Sequence, residues 1–148
     1  MKSGRRIAFD YGDVRIGVAI SDISGVLATP LTTLLNEPSK LGSEILKIIN
    51  EYEPIYLAVG QPKHLSGQPS AKEISVAGFV QQLRSLTEVP IYGIDERLTT
   101  VSANRTLREQ GKDSRQARKS VDEVAAAAIL ESCLNQERIQ GQPLNRLL

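Results

Sequence analysis

Apolar positions open the chain in short runs spaced like strands. Ile7 to Phe9 read as a buried strand, Tyr11-Gly12-Asp13 as a turn, and Ile16 to Ser21 as a second strand of small and β-branched residues, which predicts a hairpin. Val26 to Thr32 gives a third strand. Pro30 within it cannot donate a ladder hydrogen bond, so it marks an edge or a bulge. The period then lengthens: Leu41, Ile45, Ile48, Ile49 and Tyr52 recur at helical spacing and predict an amphipathic helix ending near Pro54. Ile55 to Val59 return to a continuous apolar strand stopped by Gly60-Gln61-Pro62, and residues 61–69, with no periodicity, form a loop.

Ser70-Ala71-Lys72-Glu73 is a capping box that opens a second helix, with Val76, Val80 and Leu83 on one face. Pro90 to Ile94 is a short strand ending at Asp95-Glu96-Arg97. Thr99 or Thr100 caps a further helix to about Gln110, where Gly111 stops it. Ser120-Val121-Asp122-Glu123 is a second capping box, which predicts that the Ala-rich final helix starts there and runs to about Leu134. Residues 139–148, with Gly141 and Pro143, read as a flexible tail beyond a single domain at 1–138. This order predicts an α/β fold: a mixed five-stranded sheet, three antiparallel strands first, with helices on its faces.

Composition narrows the function classes. With 148 residues, 41% apolar and 24% charged, the chain reads as one ordinary globular domain, and a net charge of +1 excludes a uniformly basic coat for nucleic acid. The longest strongly apolar run, Val124 to Leu130, is far short of the roughly twenty residues of a membrane span. The N-terminus lacks the apolar core of a signal peptide. A single cysteine, Cys133, makes no intrachain disulfide and fits a small apolar residue of a packed helix, so the expected compartment is the cytoplasm.

Three acids carry the candidate chemistry. Asp10 ends the first strand, the Asp95-Glu96 pair follows the last one, and Asp122 lies at the expected start of the final helix. Singly, each has an ordinary explanation: an Asx turn, a solvated turn, and attraction to a helix N-terminus. Strand alternation lets only one of Asp95 and Glu96 face a shared site. If the strands are neighbours and the helix crosses them, the acids converge, and such a cluster is repulsive without a cation. Carboxylates suit hard Mg²⁺ or Mn²⁺, and paired ions of this kind activate water for phosphodiester cleavage.

Several blocks then point to one family. Ile7-Ala8-Phe9-Asp10-Tyr11-Gly12 with Ile16-Gly17-Val18-Ala19, Val59-Gly60-Gln61-Pro62 followed by Gly67, Asp95-Glu96-Arg97-Leu98-Thr99-Thr100, and Lys119-Ser120-Val121-Asp122 with Ala125-Ala126 and Ile129-Leu130 resemble the signature blocks of the YqgF family, also called RuvX. The resemblance spans about residues 5–135, in order. It implies a ribonuclease-H-like fold and a nuclease acting on the precursor of small-subunit ribosomal RNA. It also implies catalytic metal ligands at Asp10, Glu96 and Asp122, favouring Glu96 over Asp95. The better-known resolvase relatives carry an acid near the end of the fourth strand, where this chain has Gly60-Gln61-Pro62.

Charge is unevenly spread. Between Asn104 and Lys119, six basic residues (Arg105, Arg108, Lys112, Arg115, Arg118, Lys119) stand against two acids, a net +4 beside the expected site, which suits sequence-independent phosphate binding. Arg97 can hold a phosphate or pair with a ligand carboxylate, and Arg15 can reach the same end of the sheet. His64, the only histidine, cannot build a metal site alone. With 4% aromatics, base stacking has little material. The leading expectation is a Mg²⁺- or Mn²⁺-dependent nuclease on structured precursor rRNA, acting near ribosomal assembly intermediates as a monomer or weak homodimer. The alternatives are a branched-DNA endonuclease and a non-catalytic RNA-binding assembly factor. An ATP-dependent phosphotransferase of the actin and sugar-kinase type would need two such domains, which 148 residues do not supply.

Overall fold

The computed structural model describes residues 1–62, 67–99 and 114–148, giving the backbone alone at 98 and 114–120. Five strands, β1 (Arg6–Tyr11), β2 (Arg15–Ser21), β3 (Ala28–Leu35), β4 (Tyr56–Gln61) and β5 (Ile91–Asp95), form one sheet in the order β3-β2-β1-β4-β5. The first three are antiparallel, while β1, β4 and β5 run parallel. Helix α1 (Pro38–Tyr52) leads from β3 to β4, α2 (Ala71–Leu86) connects β4 to β5, and α3 (Ser114–Gln140) closes the fold.

Side-chain alternation assigns the two faces. Ile7, Phe9, Leu57, Val59 and Ile91 pack with Leu41 and Ile45 of α1 and Phe79 and Leu83 of α2. Ala8, Ala19, Ala58, Tyr92 and Ile94 face Ala126, Ile129, Leu130 and Cys133 of α3. Small residues on this second face let α3 settle close to the sheet. A Cβ on Gly17 would run into the backbone carbonyl of Asp122, and a Cβ on Gly60 would come within 2.7 Å of both Glu96 Oε1 and Ile129 Cδ1. The Gly17 position thus sets the height of α3 over the sheet at Asp122.

Pro30 sits on an edge strand beside a register shift between Val18 and Ala19, as its missing N–H requires. Ser70 caps α2 by accepting from the Glu73 amide. Two expectations are corrected. α3 starts at Ser114, not at the Ser120 capping box, and extends to Gln140, because its packed face continues past Leu134 to the buried Glu137. Residues 145–148, expected as loose tail, lie along β5: the Ile91 amide donates to the Leu148 carbonyl, the Gly93 amide to Asn145, and the Leu147 amide to Ile91. The helix expected from Thr99 or Thr100 to Gln110 falls, beyond Thr99, outside the described residues, as does His64.

Candidate active site

β1 is the central strand, and Asp10 near its carboxyl end shares the parity of Ala8, so its side chain belongs to the α3 face. β5 delivers Tyr92 and Ile94 to that same face, and Asp95 turns the other way. A short 3-10 turn (Glu96–Leu98), capped by Asp95 accepting from the Arg97 amide, follows immediately and brings Glu96 back to Asp10. The Asp10 and Glu96 carboxyls are hydrogen-bonded to each other.

Asp122 comes to the site from α3. It lies well inside this helix, so the macrodipole of a helix start does not explain an acid there. Its carboxylate lies 3.5 Å from Arg15 Nε at the start of β2. Lys72, in the first turn of α2, reaches round the sheet end to place Nζ 4.0 Å from Glu96 Oε2. Neither Lys72 nor its part in the site was foreseen. The signal was available, because α2 follows the loop at the carboxyl end of β4 and must start beside Asp10.

Electrostatics reflect this crowding. The Asp10 carboxyl is raised from 3.8 to about 8, chiefly by burial and then by the hydrogen bond and negative charge of Glu96, with Lys72 opposing. Asp122 is also raised, again by burial first, while Arg15 and Lys72 pull the other way. Among the described residues no group of three Asp, Glu, His or Cys side chains is poised as it stands to hold an ion. The donor chemistry nevertheless fits a hard cation: carboxyl oxygens, partly dehydrated, crowded, and now balanced by a shared proton and two cationic side chains.

The remaining sequence-predicted residues are placed as follows. Arg97 pairs with Asp95, Nη2 to Oδ2 at 2.6 Å, and not with Glu96. Arg105, Arg108 and Lys112 lie outside the described residues, and Arg115, Arg118 and Lys119 are described only as backbone of α3. Cys133 is fully buried, its thiol pushed up to about 12 chiefly by burial, in keeping with a packing role. The room an acid would need at the end of β4 is taken by Glu96 itself, which packs over Gly60.

A central strand with an acid near its carboxyl end, paired antiparallel with β2 and parallel with β4 and crossed by a helix bearing another acid, defines a ribonuclease-H-like fold. In agreement, the chain superposes on the Thermus thermophilus RuvC structure in complex with a Holliday junction substrate, with a TM-score of 0.64 and 15% identity over 95% of this chain and 99% of that one. A second Thermus thermophilus RuvC structure gives 0.59 at 13% identity, over 97% and 99%. The family model described as "RuvX: Holliday junction resolvase" matches residues 4–136, and the chain belongs to that family of nucleases. Relatives named "Putative pre-16S rRNA nuclease" include one from Streptomyces avermitilis, 41% identical over 96% of this chain and 92% of its own length. Another, from Clavibacter michiganensis, is 40% identical over 100% and 93%.

Proposed function

We propose that this nuclease hydrolyses phosphodiester bonds in the precursor of 16S rRNA, using Mg²⁺ or Mn²⁺ held by Asp10, Glu96 and Asp122. The observation that carries this reading is the convergence of the three acids from β1, the turn after β5, and α3 at one end of the sheet. The relatives' shared name supports the RNA substrate over branched DNA. A bound divalent ion supplies Lewis-acid polarisation of a phosphoryl oxygen and a hydroxide-like nucleophile. Asp10, which interacts with both of the other acids, would be the central residue of the set that holds the ion. Glu96 is held to Asp10 by the hydrogen bond between their carboxyls, and Asp122 brings a third carboxyl whose position is fixed by the seat of α3 on Gly17. Deprotonation is a precondition for ligation, so metal affinity rises as pH climbs toward about 8. The single buried thiol suits a cytoplasmic setting around ribosomal assembly intermediates, and a monomer or weak homodimer suffices because all three acids come from one chain.

Purified protein incubated with labelled precursor rRNA and with four-way DNA junctions, with and without Mn²⁺, tests the assignment. Metal-dependent cleavage of the RNA is expected. Cleavage of junctions alone would move the chain to the branched-DNA reading, and binding without cleavage would make it an assembly factor. Within this assay Glu96→Gln should lose cleavage while Asp95→Asn, which disturbs the cap of the turn and the Arg97 pair, keeps most of it. The reverse pattern would exchange the two roles.

The basic stretch is proposed as the phosphate track, with Arg105, Arg108, Arg115, Arg118 and Lys119 beside Arg97. Changing Arg115, Arg118 and Lys119 to Ala should weaken binding to all sequences alike and flatten the log–log salt slope by about one unit per lost contact. An unchanged slope in a fluorescence titration would exclude this segment.

A further inference from the structure

Two cationic side chains touch the acids of the site, and neither has a structural task that demands the contact. Arg15 Nε is 3.5 Å from Asp122 Oδ2, with both side chains about a quarter exposed (29% and 26%), and Lys72 Nζ is 4.0 Å from Glu96 Oε2, with Lys72 half exposed. They come from opposite sides, Arg15 from the start of β2 and Lys72 from the first turn of α2. Partly exposed pairs of this length contribute little to stability, so folding does not account for them. Their shared property is position: each neutralises a different carboxylate of one cluster, and each keeps a free path to solvent.

We infer that Arg15 and Lys72 are exchangeable counter-ions of the site, which hold Asp122 and Glu96 before metal enters, give them up to the metal, and then engage the phosphates of the nucleic acid flanking the scissile bond. The inference rests on the proposed metal-dependent reading and adds to it two residues and an order of events. A divalent ion and a guanidinium or ammonium cannot share the same carboxylate oxygens at full strength, so metal entry must loosen both pairs. The freed side chains stay tethered within a few ångströms, at the mouth of the site. Strand and helix backbone fix their Cα positions, and the long stems of Arg and Lys swing without disturbing the core. A phosphodiester arriving there meets two positive charges on either side of the acids, Arg15 offering a planar fork and Lys72 a point charge. No bond is made or broken in this step. It is an exchange of ionic partners, with metal and phosphate replacing a carboxylate–cation pair on each side.

The two functions predict opposite effects of one substitution, which a purely structural role would not produce. Removing either cation should strengthen metal binding, because a competitor is gone, and weaken nucleic-acid binding, because a phosphate partner is gone. Mn²⁺ binding to the free protein, followed by electron paramagnetic resonance, should tighten about two- to fivefold in Arg15→Met and in Lys72→Met, the size of one partly exposed ion pair. Binding of a fluorescein-labelled hairpin RNA in Ca²⁺ should weaken by a similar factor with a shallower salt slope, and Lys72→Arg should stay near wild type in both measurements. Circular dichroism is expected to show all three variants folded, since both positions are partly exposed. Unchanged or weaker Mn²⁺ binding in both Met variants, beside normal binding by wild type, overturns the exchange and leaves the nuclease reading standing. Tighter Mn²⁺ with unchanged RNA affinity overturns the phosphate half. Wild-type protein that binds no Mn²⁺ overturns the metal-dependent reading and the exchange with it.

Discussion

Asp10→Asn is expected to give a folded protein that cleaves nothing. The substitution keeps the size of the side chain and removes the charge nearest the centre of the cluster. The expected loss in Mn²⁺-dependent cleavage is about 10²–10⁴-fold, the cost of several kcal/mol of lost charge stabilisation in the transition state. Stability should move the other way, and its pH dependence follows from the raised carboxyl. In the unfolded chain Asp10 releases its proton near 3.8, whereas in the fold it holds it to about 8. The folded state therefore binds the proton more tightly, the contribution of this group is most favourable below about pH 4, and it is lost progressively as pH rises to about 8. In metal chelator at pH 8, where wild type carries the full penalty, the Asn variant should melt higher, and near pH 4 the two should converge. Saturating Mn²⁺ should reverse the order, since only wild type gains from the ion. Thermal melts at the two pH values with a parallel cleavage assay check all of this. Near-normal cleavage by a folded variant would remove the two-metal mechanism.

The largest loss of stability is expected far from the site. Arg6 on β1 is fully buried, and its guanidinium donates to both carboxylate oxygens of Glu137, Nε to Oε1 at 3.2 Å and Nη2 to Oε2 at 2.7 Å. The carbonyls of Gly4, Ile23 and Lys2 accept its remaining hydrogens, and the Tyr56 hydroxyl donates to Glu137 Oε1. Burial and this bond hold the Tyr56 phenol far above its ordinary range. Glu137→Ala leaves a desolvated cation beside a void, which costs about 3–5 kcal/mol. For a chain of this length that is a fall of roughly 2–4 °C in Tm per kcal/mol. The double change Arg6→Met with Glu137→Leu should recover most of the loss, because burying no charge is cheaper than burying one. A single variant within 1 kcal/mol of wild type would show that water reaches the pair.

The strands and the candidate acids at their ends were readable from local patterns, while the choice of those acids as a set came from the family resemblance. Period-two alternation assigns Ala8 and Asp10 to one face and Ile7 and Phe9 to the other, and the structure keeps that assignment. Alternation could not choose between Asp95 and Glu96, and the resemblance favoured Glu96; the structure brings Glu96 to Asp10 because the chain leaves β5 and enters a 3-10 turn at that point. Long-range pairs were not readable. Arg6 and Glu137 stand 131 positions apart, and nothing in either neighbourhood announces the other. The Ser120 box failed for a different reason: a capping sequence satisfies orphan amides only where a helix begins, and inside a continuing helix the same residues merely ride along.

The two borders of the sheet are closed by unlike means. On β3, Pro30 removes a donor and the neighbouring register shift twists the strand, while on β5 the segment 145–148 takes up the outward amides and carbonyl of Ile91 and Gly93. An open strand border is a template on which another polypeptide can add, the first step toward amyloid-like association. Fraying of the segment around Asn145 to Leu148 would expose such a template on β5 while leaving the acids untouched. Colloidal behaviour at high protein concentration and catalytic competence are therefore governed by separate parts of this small chain.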